Sequence, residues 1–225
     1  MYKNIVFLIS LCFIIINSCS KDDTGPTTSK APIVSFIDGI YDQFGVLAVV
    51  VKDSTTYYEK MGFGGNIPPK NVPSGANFIK FTETTTSNQL FATNINFNNN
   101  KNYTVAICNK KSSVEVFSFE NNFSLADTNN TAFRFLNLIP NSNLQITING
   151  LSMGLTNYNF KGFSNYVELP ITPVTIKVKD LISNKDLITV NNYKGFPKKI
   201  YNIYFIGVVG GTGGQIPSFS SVAVN

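Results

Sequence analysis

Histidine and tryptophan are both absent from this 225-residue chain, and arginine occurs once, at Arg134. Without histidine there is no Ser-His or Cys-His nucleophile pair, no His-containing zinc site and no imidazole base. A lone arginine argues against a nucleic-acid reader, which leans on clustered guanidinium groups. The net charge of +5 does not reverse that, because the lysines are scattered. Weak attraction to acidic polysaccharide is all that such a surface suggests, and the missing tryptophan weakens a sugar-stacking platform. Long apolar runs are lacking too. The stretch from Ile5 to Ile16 is about a dozen residues, against roughly 20 for a membrane-crossing helix. No stretch sustains a helical period.

The beginning of the chain has the three parts of a secretory signal over residues 1–18: Lys3, the apolar core and the polar exit Asn17-Ser18. Cys19, directly after a small residue, resembles the cysteine of the bacterial lipoprotein signal. In that family the cysteine is acylated and becomes the new N-terminus. Ile16 and Asn17 depart from the strict pattern, as they do in the looser form found among Bacteroidetes lipoproteins. Two or three acyl chains anchor stably, whereas one is marginal. Ser20, Lys21, Asp22 and Asp23 resemble the acidic tag that exports some of those lipoproteins to the outer face of the outer membrane. A solvated linker holding two aspartates accounts for them equally well. Residues 19–31 read as a flexible linker, small, polar and punctuated by Pro26. With Cys12 in the signal and Cys19 as the anchor, Cys108 is left alone, so no internal disulfide is expected. Its place after Tyr103-Thr104-Val105-Ala106-Ile107 reads as a buried thiol.

Downstream the pattern is β throughout. Val174-Thr175-Ile176-Lys177-Val178-Lys179 alternates strictly, and Leu144-Gln145-Ile146-Thr147-Ile148 alternates into Asn149-Gly150, the strongest short hairpin signal. Two segments parallel each other at an offset of about 95–100 residues. Ile33 to Ile37 matches Ala132 to Leu136, Val46 to Val51 matches Leu144 to Ile148, and Phe78 to Phe81 matches Val174 to Val178. Tyr103 to Ile107 likewise matches Tyr201 to Phe205. The polar stretch from Glu120 to Asn130 is the natural boundary, and each segment has room for about seven strands.

Phe133-Arg134-Phe135-Leu136-Asn137, the run Leu144 to Gly150, Tyr166-Val167-Glu168-Leu169-Pro170, Val174 to Val178, Tyr201 to Val209 and Gly210-Gly211-Thr212-Gly213-Gly214 together resemble the domain of unknown function 4397. That family recurs in tandem in bacterial secreted and lipid-anchored proteins. The resemblance is good from Thr131 onward and weak from Ala31 to Glu120, where Thr55-Thr56-Tyr57-Tyr58 and the Gly-Pro-rich Gly62 to Gly75 depart from it. It implies an all-β chain of two tandem immunoglobulin-like or transthyretin-like β-sandwich domains, 32–121 and 131–225. The motifs are hydrophobic and turn-forming, so they carry no chemistry.

Candidate chemistry is thin. Asp180 and Asp186 flank a polar turn and read as a solvated hairpin end rather than a paired-carboxylate site. Asp38-Gly39-Ile40-Tyr41-Asp42 lacks the oxygen spacing of a calcium loop and reads as a plain loop. The glycines of 207–214 lack the Lys-Ser/Thr of a phosphate loop and read as a hairpin turn, with a strand from Gln215. Asp53-Ser54-Thr55 resembles a Bacteroidetes O-glycosylation signal. Aromatics remain: Tyr57, Tyr58 and Phe63 in the first segment, with Tyr158, Phe163 and Tyr166 in the second, are the candidates for a ligand patch, although most sandwich aromatics are core. The expectation is a lipid-anchored, non-catalytic binding or structural module at the bacterial surface, with no cofactor, no metal and no nucleic acid. Its partner would be an envelope protein or a polysaccharide. The alternative is a polysaccharide-binding accessory lipoprotein of a glycan-uptake system.

Overall fold

The computed structural model describes residues 29–42, 47–51 and 59–225. These residues form strands with one short 3-10 turn and no α-helix, so the all-β class expected above is the one found. The first eight strands are β1 (Ile33–Ile40), β2 (Leu47–Val51), β3 (Glu59–Met61), β4 (Asn66–Asn71), β5 (Gly75–Glu83), β6 (Gln89–Phe97), β7 (Asn102–Lys110) and β8 (Ser113–Glu120). They make two four-stranded sheets, β4-β1-β7-β8 and β3-β2-β5-β6. The next eight are β9 (Asn130–Asn137), β10 (Asn143–Ile148), β11 (Tyr158–Asn159), β12 (Val167–Pro170), β13 (Val174–Asp180), β14 (Lys185–Tyr193), β15 (Ile200–Ile206) and β16 (Ser218–Ala223). Their sheets, β12-β9-β15-β16 and β11-β10-β13-β14, repeat the first pair strand for strand. Each sandwich thus has eight strands rather than about seven.

The extra strand in the first sandwich is β4, which lies inside the stretch that reads as a Gly-Pro-rich loop. Pro68 and Pro69 cannot donate to a ladder, and they are tolerated because β4 pairs on one side only, with β1. The Asn149-Gly150 turn forms as its residue types require, with φ of +50° and +80° and Leu151 N–H donating to the Ile148 carbonyl at 2.9 Å. The closing glycine-rich turn also uses positive φ, at Gly207, Gly210 and Gly213, and the last strand begins at Ser218 rather than Gln215.

Three apolar clusters stack across the molecule. One lies inside the first sandwich around Phe36, Ile79, Phe81 and Val105, and another inside the second around Phe135, Ile146, Ile176 and Phe205. The third lies between them. There the outer face of β1, β7 and β8 (Ile37, Ala106, Cys108, Phe119) meets that of β9, β15 and β16 (Leu136, Tyr204, Ile206, Val222). The order is therefore sheet, core, sheet, seam, sheet, core, sheet. The two inner sheets are covered on both faces, which is why β1 and β9 are buried along almost their whole length. Their centres are parallel pairs, β1 with β7 and β9 with β15, as suits strands with no wet face.

Internal hydrogen bonds reproduce the repeat atom for atom. Asp38 N–H donates to the Gly65 carbonyl and Gly64 N–H to the Asp38 carbonyl, while Asn137 N–H donates to Gly162 and Lys161 N–H to Asn137. The tight turn needs positive φ at Gly64 (+73°) and at Lys161 (+67°), which takes the strain of the left-handed region as a lysine. Tyr204, fully buried in the seam, ties this turn to the second sandwich. Its hydroxyl lies 3.0 Å from the Gly64 carbonyl and 3.1 Å from Ser220 Oγ, and it accepts from Asn66 Nδ2 at 3.1 Å. Tyr204→Phe keeps the ring and strands those partners. The expected cost is about 1–3 kcal/mol of unfolding free energy by urea titration; an unchanged midpoint would mean the hydroxyl is not holding the turn.

Candidate functional site

The seam holds a connected cluster of polar and aromatic side chains. At its centre Asn202 Nδ2 donates to Thr104 Oγ1 at 2.8 Å and to Asn121 Oδ1 at 3.0 Å, joining β15 to β7. Asn121 Nδ2 donates to Thr104 Oγ1 at 3.0 Å, and the Ser35 and Thr104 hydroxyls share a bond of 2.9 Å. Tyr166 hydroxyl lies 3.2 Å from Asn202 Oδ1 and 3.3 Å from Asn121 Oδ1. A buried polar cluster costs free energy unless its members are satisfied, and these satisfy one another across the seam.

Arg134 closes one side. Its guanidinium carbon sits 4.0 Å from the Tyr166 ring centre, 5.3 Å from Phe163 and 5.4 Å from Phe119, and Nη1 donates to the Glu120 carbonyl at 3.0 Å. A desolvated cation over aromatic faces gains on the order of 2 kcal/mol. Burial holds the arginine pKa below its ordinary value and pushes the Tyr166 phenol up to about 12, against the opposing pull of the guanidinium. Phe163 stacks on Phe119 with centres 4.7 Å apart, and Lys161 bonds Glu115 across the same edge. That ion pair is partly exposed and adds at most about 1 kcal/mol. Burying Ile37, Leu136, Leu138 and Ile206 contributes about 1.5–3 kcal/mol each, so apolar burial dominates the seam.

Of the six candidate aromatics, Phe163 and Tyr166 come together around Arg134, and Phe63 packs against the same seam cluster. Tyr158 packs on the core of the second sandwich instead. Tyr57 and Tyr58 lie outside the described residues, as do Cys19, Ser20, Lys21, Asp22, Asp23 and the Asp53-Ser54-Thr55 stretch. Arg134, Thr104 and Asn202 are the seam residues that sequence reasoning missed. Polar residues inside otherwise apolar strands were the available signal.

The acidic residues hold turns. Asp180 is buried rather than solvated. It accepts from the Asn143, Ile182 and Ser183 amides and from Ser183 Oγ at 2.6 Å. Burial acts to raise its pKa, but the hydrogen bonds outweigh it and hold the carboxylate below its ordinary value. Glu83, at the matching position of the first sandwich, accepts from Lys111 Nζ and Thr86 Oγ1 and is lowered by both. Glu168 accepts from the Ala126 and Asp127 amides and from Asn130 Nδ2, tying the inter-sandwich connection to β12. Cys108 is fully buried in the seam, and burial pushes its thiol up to about 12, as suits a packing residue. Among the described residues no group of three or more His, Cys, Asp or Glu side chains could hold a metal ion.

Asp38 is the outlier. It lies near the end of β1 in the interior rather than in a plain loop, fully buried, with Oδ1 accepting from Ile40 N–H at 3.0 Å. Asn137 occupies the matching place in β9. Its Oδ1 accepts from Ile139 N–H, and its Nδ2 donates to Ser142 Oγ and to the Tyr158 carbonyl. Asp38 Oδ2 has no such partner among the described residues. Burial raises its pKa from 3.8 to about 7, partly offset by the Ile40 amide.

Residues 33–143 match the family model described as Domain of unknown function (DUF4397). The matched stretch spans the first sandwich, the connection and β9, whereas the family's motifs read more clearly in the second half of the sequence. No curated protein matches the chain. Several solved structures resemble it weakly. A tip fimbrial protein from Porphyromonas gingivalis with a C-terminal truncation is 9% identical, with 88% of this chain and 99% of that one covered and a TM-score of 0.29. CBMbc (family CBM26) from Eubacterium rectale, in complex with maltoheptaose, is 10% identical over 84% and 95%, TM-score 0.26. A putative cell adhesion protein from Bacteroides eggerthii is 8% identical over 87% and 96%, TM-score 0.24. At TM-scores this low the likeness carries nothing about ligands.

The Asp38 contrast gives a pH test. A carboxyl whose folded pKa exceeds its unfolded one contributes stability at low pH and loses it as pH rises through about 7. The shift is worth at most ~4 kcal/mol. Asp38→Asn removes the titrating group and places an amide where Asn137 stands in the other half. It should raise the melting temperature at pH 8 and leave it unchanged near pH 4. No gain at pH 8 would show that the buried carboxylate is not a cost.

Proposed function

We propose that this protein is a lipid-anchored, non-catalytic binding or structural module of the bacterial cell envelope, built from tandem copies of the family matched at 33–143. The observation that supports it most is Cys19, placed after a secretory-type signal and before a short polar tether that leads into β1. The described chain is tied down from Lys30, whose N–H donates to Asn100 Oδ1 at 2.8 Å. Among the described residues beyond that point, Glu83, Glu168 and Asp180 hold turns and connections, Glu115 and Glu120 form ion pairs, and Arg134 and Tyr166 fill the seam. An outer-membrane location facing the cell surface follows from Ser20 to Asp23 acting as an export tag. The partner is another envelope protein or, as the alternative, a polysaccharide held by the aromatic candidates.

Two outcomes test this. Cys19→Ala should move the protein from the membrane pellet to the soluble fraction of fractionated cells, and a variant still in the pellet would remove the anchor. If a polysaccharide is the partner, the protein should bind members of a broad glycan panel, and Phe163→Ala should weaken binding about tenfold. That change corresponds to about 1.4 kcal/mol, the scale of a lost aromatic contact. No binding across the panel leaves the protein-partner version standing.

A further inference from the structure

We infer that the end of the molecule carrying the loop between β14 and β15 is a membrane-contact surface for anionic lipid headgroups, with Phe196 as its apolar anchor. The inference rests on the lipid-anchored reading and adds to it an orientation.

Register across the seam shows which end this is. Thr104 meets Asn202, and a Cβ on Gly39 would lie 3.0 Å from Leu138 Cδ1, so matching positions of the two sandwiches face each other and β1 and β9 run the same way. The start of β1, where the tether arrives at Lys30 beside Asn100, is therefore at the same end as the start of β9. The β14–β15 loop is bonded to that start: Lys198 N–H donates to the Asn130 carbonyl and Ala132 N–H to the Lys199 carbonyl.

Phe196 is 71% exposed on this loop, the most exposed large hydrophobic side chain described. The backbone that carries it is tied down. Its N–H donates to Tyr201 hydroxyl, Lys199 N–H returns to its carbonyl, and Asn225 Nδ2 donates to the Lys198 carbonyl. Gly195 lies so close to Thr131 that a Cβ would come within 2.4 Å of its hydroxyl, which fixes the base of the loop against β9. Lys194, Lys198 and Lys199 lie on either side of Phe196 along the loop, all exposed, with Lys199 Nζ donating to the Asn225 carbonyl at 3.1 Å, and Lys30 and Lys101 share the end. Glu120 answers Lys101, and Asp127 and Glu168 are the other acids nearby, so five lysines face three acids at this end. The opposite end carries Asp42, Glu83, Glu115, Asp180 and Asp186 with Lys110, Lys111, Lys161 and Lys185. Charge therefore favours the tether end facing an anionic surface.

An exposed aromatic on a loop with three exposed lysines is the composition of an interfacial contact, with the ring at the acyl boundary and the ammonium groups among the phosphates. Reach agrees. Between Cys19 and Lys30 a chain of about 11 residues spans ~40 Å at full extension and ~18 Å as a flexible coil, so the lipid would hold this end near the bilayer.

Because the chain lacks tryptophan, Phe196→Trp makes a sole reporter, with Ile182→Trp as its counterpart at the far end, 67% exposed in the β13–β14 turn. Each full-length variant would be put on phosphatidylethanolamine–phosphatidylglycerol vesicles with brominated acyl chains, and flotation scored beside fluorescence. Both variants are expected to float. The emission of the Phe196→Trp protein should be blue-shifted and quenched about twofold or more, and that of the Ile182→Trp protein unquenched. Adding Lys194→Glu, Lys198→Glu and Lys199→Glu to the first variant should abolish its quenching. Flotation with both reporters equally quenched, or neither, overturns the orientation and leaves the anchor intact. Failure to float, with the Phe196→Trp reporter still quenched at low salt, removes the anchor and keeps the surface. Failure of both removes both.

Discussion

The burial of one sheet of each sandwich against the other is the constraint on which the rest depends. Placing Ile37, Ala106 and Cys108 against Leu136, Tyr204 and Ile206 leaves β1, β7, β9 and β15 without a wet face. Those strands must then be apolar on both sides, and any polar group among them must find its partner inside. Thr104, Asn121, Tyr166 and Asn202 do so by bonding across the seam. Because the unmet partners would be costly, the polar set fixes one register of the two sandwiches where a purely apolar seam would tolerate sliding.

The repeated architecture makes the differences between the halves informative. Gly39 and Leu138 occupy matching positions and face each other, the leucine filling the space the glycine leaves. Ser35 and Arg134 are likewise matched. One joins the hydroxyl cluster, while the other reaches across to the Glu120 carbonyl and three rings. The seam is thus symmetric in outline and asymmetric in its filling. Asp38 beside Asn137 is the pair in which the first half keeps a carboxyl where the second keeps a satisfied amide.

Much of this fold was legible in the sequence where one face of a strand is wet. Strands β10 and β13 belong to an outer sheet and alternate cleanly, and Asn149-Gly150 marks its own turn. Strand β4 was hidden by Pro68 and Pro69, because edge pairing is a tertiary fact that no local pattern states. The stretch from Asp38 read as a loop because acidic residues favour turns locally, whereas here the strand is closed over on both sides. Phe63 and Tyr166 pack into the seam while Phe163 beside them stays 42% exposed, a division that the sequence does not state. Exposure is decided by the second sandwich, which local sequence does not reveal. The reading of Cys19 rests on local chemistry alone and lies outside the described residues.

Under the anchor proposed at Cys19, rigidity beyond it would present anything the protein binds at a fixed height and angle. Native-state hydrogen exchange on the amides of β7 and β15 addresses that rigidity most directly. If the seam makes one body, the two strands exchange with the same free energy and the same denaturant dependence, equal to those of global unfolding. Protection of one strand falling well below the other, with its own smaller denaturant slope, would show two sandwiches that open independently.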